Sequence, residues 1–176
     1  MQIIVSPRLD QPTRGILHCA GVEYPCALGR SGVRKDKVEG DGATPIGTFD
    51  IRMLFYRADR LSAPNTNIPL RIIHAADGWC DSPEDANYNR LVPLPYPASA
   101  ENLWRSDHVY DLVLVLGHND DPVIAGRGSA IFMHVATPDF APTAGCVALA
   151  QDDLLNVLRE IGPGAKITIQ DQGAKT

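Results

Sequence analysis

Short apolar runs dominate the hydrophobic pattern of this chain, and long periodic segments are rare. The runs are rich in Ile, Val and Leu and are bounded by Gly, Pro, Asp or Asn, which is typical of strands. They predict strands at residues 2–5, 15–19, 23–27, 49–54, 71–74, 111–116, 130–135 and 166–169. The pattern therefore predicts a mainly β architecture.

One segment, AQDDLLNVLREIGPG, has a clear helical period and predicts a helix near residues 151–161. Its apolar face is formed by Leu154, Leu155, Leu158 and Ile161. Two aspartates fall in the first turn, where the helix dipole favours negative charge, and a Gly-Pro pair ends the segment. Residues 99–106 (SAENLWRS) are interpreted as a short second helix.

Two long stretches, residues 29–48 and 75–105, show no regular pattern. Loops of this length within a domain are usually functional or disordered. The second stretch contains two Trp and two Tyr, so we expect a large ordered loop insert that forms a wall or lid of a cleft. In the first stretch, Asp36, Lys37 and Glu39 are interpreted as a solvated mixed-charge loop.

Composition narrows the class of protein. A chain of 176 residues is expected to form a single domain over residues 1–176. Its net charge of −5 argues against a nucleic-acid partner. No apolar run approaches the roughly 20 residues that cross a bilayer, so no membrane span is expected.

The first residues, MQIIVSPRLDQPTRG, contain neither the basic region nor the apolar stretch of a secretory signal. If Met1 is the natural start, a cytoplasmic location is expected; if the N-terminus was trimmed, a periplasmic one is. In a reducing compartment free thiols are the expected state of all the cysteines. These are Cys19, Cys26, Cys80 and Cys146.

Candidate chemistry lies in the stretch HVATPDFAPTAGCVAL. His134 ends an apolar strand, a loop rich in proline follows, and Cys146 stands twelve residues later between Gly and Val. One interpretation is structural: a small buried cysteine and a strand-end histidine. The other is chemical, because a thiol of pKa near 8.5 needs a neighbour such as imidazole to become a good nucleophile. The pair predicts Cys146 as nucleophile and His134 as general base and acid.

This segment resembles the L,D-transpeptidase (YkuD-like) catalytic domain, whose signature is a His, a loop, and Ser/Thr-His-Gly-Cys followed by an apolar residue. The matching positions are His134, Thr143, Gly145, Cys146 and Val147. The upstream string GDGATPIGTF is similar to a second element of the family. It is matched by Gly42, Thr44, Pro45, Gly47 and Phe49.

The chain departs from the family signature at two positions. Ala144 replaces the second histidine, and Ala148 replaces the usual Arg or Asn. An alanine methyl group cannot accept a proton, so His134 is expected to act without a second imidazole.

The resemblance implies a YkuD-like β-sandwich and a bacterial cysteine enzyme without cofactor or metal. Family members cut the bond between the L-centre of diaminopimelate or Lys and the terminal D-Ala of a peptidoglycan stem tetrapeptide. Carried onto this chain, Cys146 attacks the carbonyl and His134 protonates the departing D-Ala. Backbone N–H groups around Ala144 and Gly145 are expected to hold the oxyanion.

The acceptor decides the outcome: water yields a tripeptide, whereas a second amine yields a 3→3 cross-link. The expected cytoplasmic location favours an L,D-carboxypeptidase in murein recycling, with a transpeptidase as the alternative. An inactive module that binds stem peptides and a cysteine hydrolase of another amide also remain open. The expected partners are stem peptides or muropeptides, and a monomer is expected.

Five further residues are candidates for substrate binding. Thr143 belongs to the signature itself. Arg127 and Arg105 are candidates for the terminal carboxylate, since guanidinium binds carboxylates bidentately. His118 ends the apolar strand DLVLVLG and is expected to face the same cleft, or to cap its own loop. Tyr88 is expected either to line the pocket or to anchor the insert.

Overall fold

The computed structural model describes residues 2–171, which contain fourteen strands and one helix. The strands are β1 (Gln2–Pro7), β2 (Arg14–Cys19), β3 (Val22–Ala27), β4 (Val33–Arg34), β5 (Thr44–Pro45), β6 (Gly47–Tyr56), β7 (Leu70–Ile72), β8 (Asp77–Cys80), β9 (Leu91–Pro93), β10 (Ala100–Asn102), β11 (Leu112–Leu116), β12 (Phe132–Val135), β13 (Val147–Leu149) and β14 (Lys166–Ile169). The helix α1 spans Gln151–Glu160. The mainly β prediction with one C-terminal helix is confirmed.

The largest sheet has the order β11-β12-β13-β3-β2-β1-β14-β6-β7, and β6 also pairs with β11. The long strand β6 makes this possible, because its first half pairs with β14 and its second half with β11. The two layers of the expected sandwich therefore belong to one sheet, which closes on itself where β6 pairs with β11. Closure removes most of the exposed edges that a sheet would otherwise present.

Both faces of the sheet are covered at β11 and β12. All five residues of β11 are buried, although side chains alternate between the two faces of a strand. Leu112, Leu114 and Leu116 face the main core, which also receives the apolar side of α1. Val113 and Val115 join a second apolar cluster with Phe55, Phe132, Tyr110 and Cys146. We call the side of β11–β13 that carries this second cluster the catalytic face.

The insert, residues 75–105, was expected to be a loop but contains regular β-structure. It contains a three-stranded antiparallel sheet in the order β10-β8-β9, and Trp79 of β8 packs edge-on against Phe132 at 5.1 Å. The predicted helix at residues 99–106 is wrong, because residues 100–102 pair with β8 as a strand. Strands of three or four residues show too little alternation to be recognised, and their partners lie more than ten residues away.

No helix among residues 2–171 combines the length and the apolar character needed to span a bilayer. The four cysteines are free, and each is buried.

Candidate active site

Cys146 and His134 line the same cavity, which measures about 580 Å³ and opens on the catalytic face. His134 lies in β12, which runs parallel to β13, and it pairs with Ala148 of β13. Cys146 immediately precedes β13. Residues two apart on a strand point to the same side. The parallel register therefore places Phe132, His134, Cys146 and Ala148 on one face.

The imidazole of His134 has a defined tautomer. Its Nδ1 lies 2.9 Å from the backbone carbonyl oxygen of Val135. A carbonyl can only accept, so Nδ1 carries the proton and donates it, and Nε2 holds the free lone pair. Burial is the main cause that lowers the pKa of His134 to about 4. The ring is therefore neutral at neutral pH and can act as a base.

The thiol of Cys146 is held by the main chain. Its Sγ accepts a hydrogen bond from the backbone N–H of Phe132 at 3.4 Å and donates to the carbonyl oxygen of Ala130 at 3.3 Å. Burial raises the pKa of Cys146 to about 12, and the negative charge of Glu101 adds to the effect. A neutral thiol and a neutral imidazole thus line the same cavity. The S–H bond must turn from Ala130 towards His134 before a proton can pass.

The turn that presents the thiol depends on two signature residues. The hydroxyl of Thr143 donates to the carbonyl oxygen of Cys146 at 2.7 Å and accepts from the N–H of Gly145 at 3.1 Å. Gly145 has φ +142°, and a Cβ there would lie 2.8 Å from the carbonyl oxygen of Ala43. Only glycine fits this position. The N–H of Gly145 already binds Thr143, whereas Ala144 and Cys146 line the cavity; the oxyanion role of this turn stays a prediction.

The two sequence elements that carry the family resemblance touch each other. Thr143 forms a parallel β-bridge with Gly29, and its carbonyl oxygen accepts a hydrogen bond from the N–H of Arg30 at 2.9 Å. The N–H of Gly29 in turn donates to the buried hydroxyl of Thr44 at 2.8 Å. The upstream motif therefore supports the turn that presents Cys146.

The remaining predicted substrate residues divide into two groups. Thr143 and Arg105 line the cavity, whereas Arg127, His118 and Tyr88 lie outside its lining. The ring Nε2 of His118 bonds to the carbonyl oxygen of Arg127 at 2.9 Å, which caps the loop after β11. Arg127 itself is exposed. Of the two uses expected for His118, the structure shows the loop cap, and Arg127 lies outside the cavity lining.

Tyr88 is a buried anchor. Its hydroxyl donates to the carboxylate of Glu39 and accepts from the N–H of Gly128 at 3.0 Å. Burial, followed by the hydrogen bond to Glu39, raises the pKa of Tyr88 above its usual range. Of the two uses expected for Tyr88, the structure shows the anchoring one.

Charged residues that the sequence analysis did not assign to the site line the cavity. They are Arg30, Lys37, Glu39, Asp81 and Glu101. The expectation of a solvated loop at 36–39 is wrong for two of its three residues, because Lys37 and Glu39 are turned into the cavity wall. Lys37 has a side chain only 4% exposed and pairs with Asp41 at 2.5 Å. The one available signal was that this loop immediately precedes GDGATPIGTF.

Tyr110 is a further residue without a sequence signal. Its ring packs edge-on against the imidazole of His134 at 5.2 Å, and its hydroxyl donates to Glu101 at 2.6 Å. Burial and the nearby Cys146 and Glu101 raise the pKa of Tyr110 well above its usual value. Within residues 2–171 no group of three or more His, Cys, Asp or Glu side chains is arranged to hold a metal ion.

Comparison with known proteins identifies the family of this β-rich domain. The L,D-transpeptidase catalytic domain (YkuD) family matches residues 20–169. The chain therefore belongs to the YkuD family of L,D-transpeptidase catalytic domains. No curated protein sequence matches the chain.

Solved structures with a similar chain path include L,D-transpeptidase 3 from Mycobacterium tuberculosis, at 12% identity and a TM-score of 0.46, covering 96% of this chain and 61% of that one. An L,D-transpeptidase from Mycobacterium smegmatis has 13% identity and a TM-score of 0.42, covering 96% and 58%. The helical cell shape determining protein Pgp2 from Campylobacter jejuni has 13% identity and a TM-score of 0.44, covering 97% and 48%. The chain thus spans less than two thirds of each of these structures.

Proposed function

We propose that this protein is an L,D-carboxypeptidase that releases the terminal D-Ala of peptidoglycan stem tetrapeptides. One observation carries the proposal: Cys146 and His134 line the same cavity, and the hydrogen bond from Nδ1 to Val135 leaves Nε2 of the imidazole free to take the thiol proton. A cysteine nucleophile with a positioned base is the arrangement that acyl transfer needs.

Acylation follows from these two side chains. The thiol proton of Cys146 passes to Nε2 of His134, and the sulfur attacks the carbonyl carbon of the third stem residue. The tetrahedral oxyanion lies against the turn at Ala144. Its collapse breaks the C–N bond, and the imidazolium returns the proton to the amine of the departing D-Ala. The peptide is left as a thioester on the enzyme.

Deacylation reverses the proton path. Nε2 of His134 takes a proton from water, the hydroxide adds to the thioester, and the thiol of Cys146 leaves with the proton. The product is a tripeptide with a free carboxylate. The depressed pKa of His134 keeps the imidazole in the base form at neutral pH.

The position of Arg105 supports binding of the terminal carboxylate. His134 must reach the leaving amine of D-Ala, so the carboxylate of D-Ala is expected close to His134. Arg105 lines the cavity, and its charge lowers the pKa of His134 after the larger effect of burial. Its Nε and one terminal nitrogen bind Asp107 at 2.9 and 2.6 Å, which leaves further N–H groups on the guanidinium for a ligand.

The insert supports hydrolysis over cross-linking. Asp81, Glu101 and Arg105 all come from the insert and line the cavity beside the thiol. A volume of about 580 Å³ is within the range that encloses one small ligand. We propose that a single stem peptide fills this space and that the second strand needed for a 3→3 link is excluded. Use in murein recycling within the cytoplasm is part of this proposal.

The decisive experiment incubates the protein with a disaccharide tetrapeptide, with and without a second stem peptide as acceptor, and follows products by mass spectrometry. We expect release of one D-Ala in both samples. Cross-linked dimers would instead establish the transpeptidase. An enzyme that neither turns over nor is acylated by a carbapenem would be the inactive stem-peptide-binding module.

A further inference from the structure

Glu101 is a carboxylate that the insert brings to the nucleophile. It lies in the centre of β10, where it pairs with Trp79 of β8, and its side chain lines the catalytic cavity. The hydroxyl of Tyr110 donates to its Oε1 at 2.6 Å and so holds the carboxylate in one orientation. Glu101 and Cys146 line the same cavity, and the charge of Glu101 raises the pKa of Cys146 after the larger effect of burial.

Two of the three cations that line the cavity form ion pairs with other carboxylates, and the third, Arg30, donates to the carbonyl oxygen of Gly40 at 3.3 Å. Arg105 binds Asp107 at 2.6 Å, and Lys37 binds Asp41 at 2.5 Å. The partner of Glu101 shown here, the Tyr110 hydroxyl, is neutral. A partly buried carboxylate whose hydrogen-bond donor is neutral is costly unless a cation reaches it. The charge of Arg105 acts on Glu101, but Arg105 forms its ion pair with Asp107, so no direct ion pair to Glu101 is seen within residues 2–171.

Asp81 provides an independent observation at the same wall. Its Oδ1 is inaccessible to solvent and has no hydrogen-bond partner within the described part of the chain. Asp81 also lines the cavity, and its charge acts on Glu101. The third carboxylate, Glu39, differs, because it accepts hydrogen bonds from Tyr88 and from Ser129, the latter at 2.7 Å. An oxygen closed to solvent is also out of direct reach of a ligand, so Asp81 acts through its negative charge, which favours a cation in the cavity.

We propose that Glu101, assisted by Asp81, binds the side-chain ammonium of the third stem residue and so selects stem peptides with a free amine at that position. This inference rests on the proposed carboxypeptidase function. The third residue carries the carbonyl that Cys146 attacks, so its side chain must lie against groups next to the sulfur. Glu101 is such a group: an ammonium can donate to its carboxylate, and the negative charge of Asp81 adds to the attraction.

The same contact activates the nucleophile. A bound ammonium neutralises the negative charge of Glu101, which removes one cause of the raised pKa of Cys146. The thiolate therefore becomes more accessible when the correct substrate is present. With the site empty, the thiol stays protonated and resists oxidation and alkylation.

The test compares two tetrapeptides that differ only at the third residue, Lys with a free ε-amine and Lys with that amine acetylated. For the unchanged protein we expect kcat/KM to fall at least about tenfold on acetylation, since a desolvated charge pair is lost. In Glu101→Gln the two peptides should differ by less than about twofold. The amide oxygen can still accept from Tyr110, so the cavity wall is retained. Glu84→Gln, on an exposed glutamate of the same insert, should discriminate like the unchanged protein.

A second readout needs no substrate. The rate at which iodoacetamide labels Cys146 at pH 8 should rise several-fold in Glu101→Gln, because the neighbouring charge is gone, and should not change in Glu84→Gln. Retained discrimination in Glu101→Gln, or unchanged labelling, would overturn the assignment. If that variant does not fold, equal use of both peptides by the unchanged protein still refutes it. Release of D-Ala from neither peptide would instead refute the carboxypeptidase proposal.

Discussion

The catalytic face and the insert build opposite sides of one cavity by different means. On the catalytic face the proposed reacting groups are held by the main chain: His134 by the carbonyl of Val135, and Cys146 by Phe132 and Ala130. The insert is held by side chains. Trp79 packs on Phe132, and Arg57 stacks over Trp104 at 3.6 Å.

This difference separates two tasks. Main-chain contacts tolerate many side-chain changes, so the geometry of the nucleophile and its base can persist while the opposite wall varies. Side-chain contacts depend on each residue, so substitutions in the insert alter the charge that a ligand meets. We therefore expect changes on the catalytic face to abolish the chemistry and changes in the insert to alter substrate preference.

Removing the nucleophile should have the largest effect. In Cys146→Ala, release of D-Ala should fall by about 10³-fold or more, because no other group can form the acyl intermediate. Product analysis by chromatography measures the loss. Cys19→Ala, which removes a buried thiol of the main core, is the matched control and should stay active. Activity retained without Cys146 would make the whole assignment wrong.

The turn that presents Cys146 should be the next most sensitive. Gly145→Ala places a Cβ against the carbonyl of Ala43 at an unfavourable φ and should cost about 3 kcal/mol of unfolding free energy. Gly164→Ala is the control, because Gly164 has φ +79° but open space around it, and it should cost about 1 kcal/mol. Urea unfolding compares the two. Equal losses would show that the contact with Ala43 has no role.

Acid should destabilise the catalytic face through His134. Its pKa is lowered from 6.5 to about 4 in the folded protein, so the unfolded chain binds this proton first. The stabilisation is complete above pH 6.5 and is lost as the pH falls towards 4, to a total of about 3 kcal/mol. We therefore expect the free energy of unfolding, measured with urea, to fall less between pH 7 and pH 4 in His134→Gln than in the unchanged protein. An equal fall in the two proteins would contradict a buried neutral imidazole.

Loosening the insert should have the smallest effect on stability. Tyr88→Phe leaves the buried N–H of Gly128 without its acceptor and removes a donor from Glu39, at a cost of about 1–2 kcal/mol. Tyr96→Phe, on a partly exposed tyrosine of the same insert whose hydroxyl bonds to Asn87 and Asp85, should cost less, about 0.5–1 kcal/mol, because water can replace these partners. Urea unfolding measures both variants, and rates of proteolysis within residues 75–105 should follow the same order. A larger loss at Tyr96 would contradict the anchoring role of Tyr88.

The apolar pattern predicted the elements of the main sheet well. Each of the eight predicted strands overlaps an observed one, and the helix predicted near 151–161 is present at Gln151–Glu160. The strands of the insert were missed because their partners lie far along the chain. The strand Val147–Leu149 was missed for a different reason: VAL follows Cys146 without alternation and is buried on both faces.

The candidate site was predicted unevenly. Spacing and the Gly-Cys turn were enough to propose Cys146 and His134, and both line one cavity. The pattern gave no means of choosing between Arg105 and Arg127, or of ranking Glu101 above the other acidic residues. A charged residue breaks the apolar pattern in the same way whether its side chain faces solvent or a cavity.

The sequence by itself determined the mainly β class, the helix and the candidate pair, because local rules govern them: side-chain period, turn chemistry and motif spacing. Only the tertiary structure decided which charges meet the thiol. Glu101 is brought to the cavity of Cys146 by the pairing of β10 with β8 and the packing of Trp79 on Phe132, contacts between residues distant along the chain. Such contacts form because the whole chain buries its apolar surface at once, and no short window of residues records them.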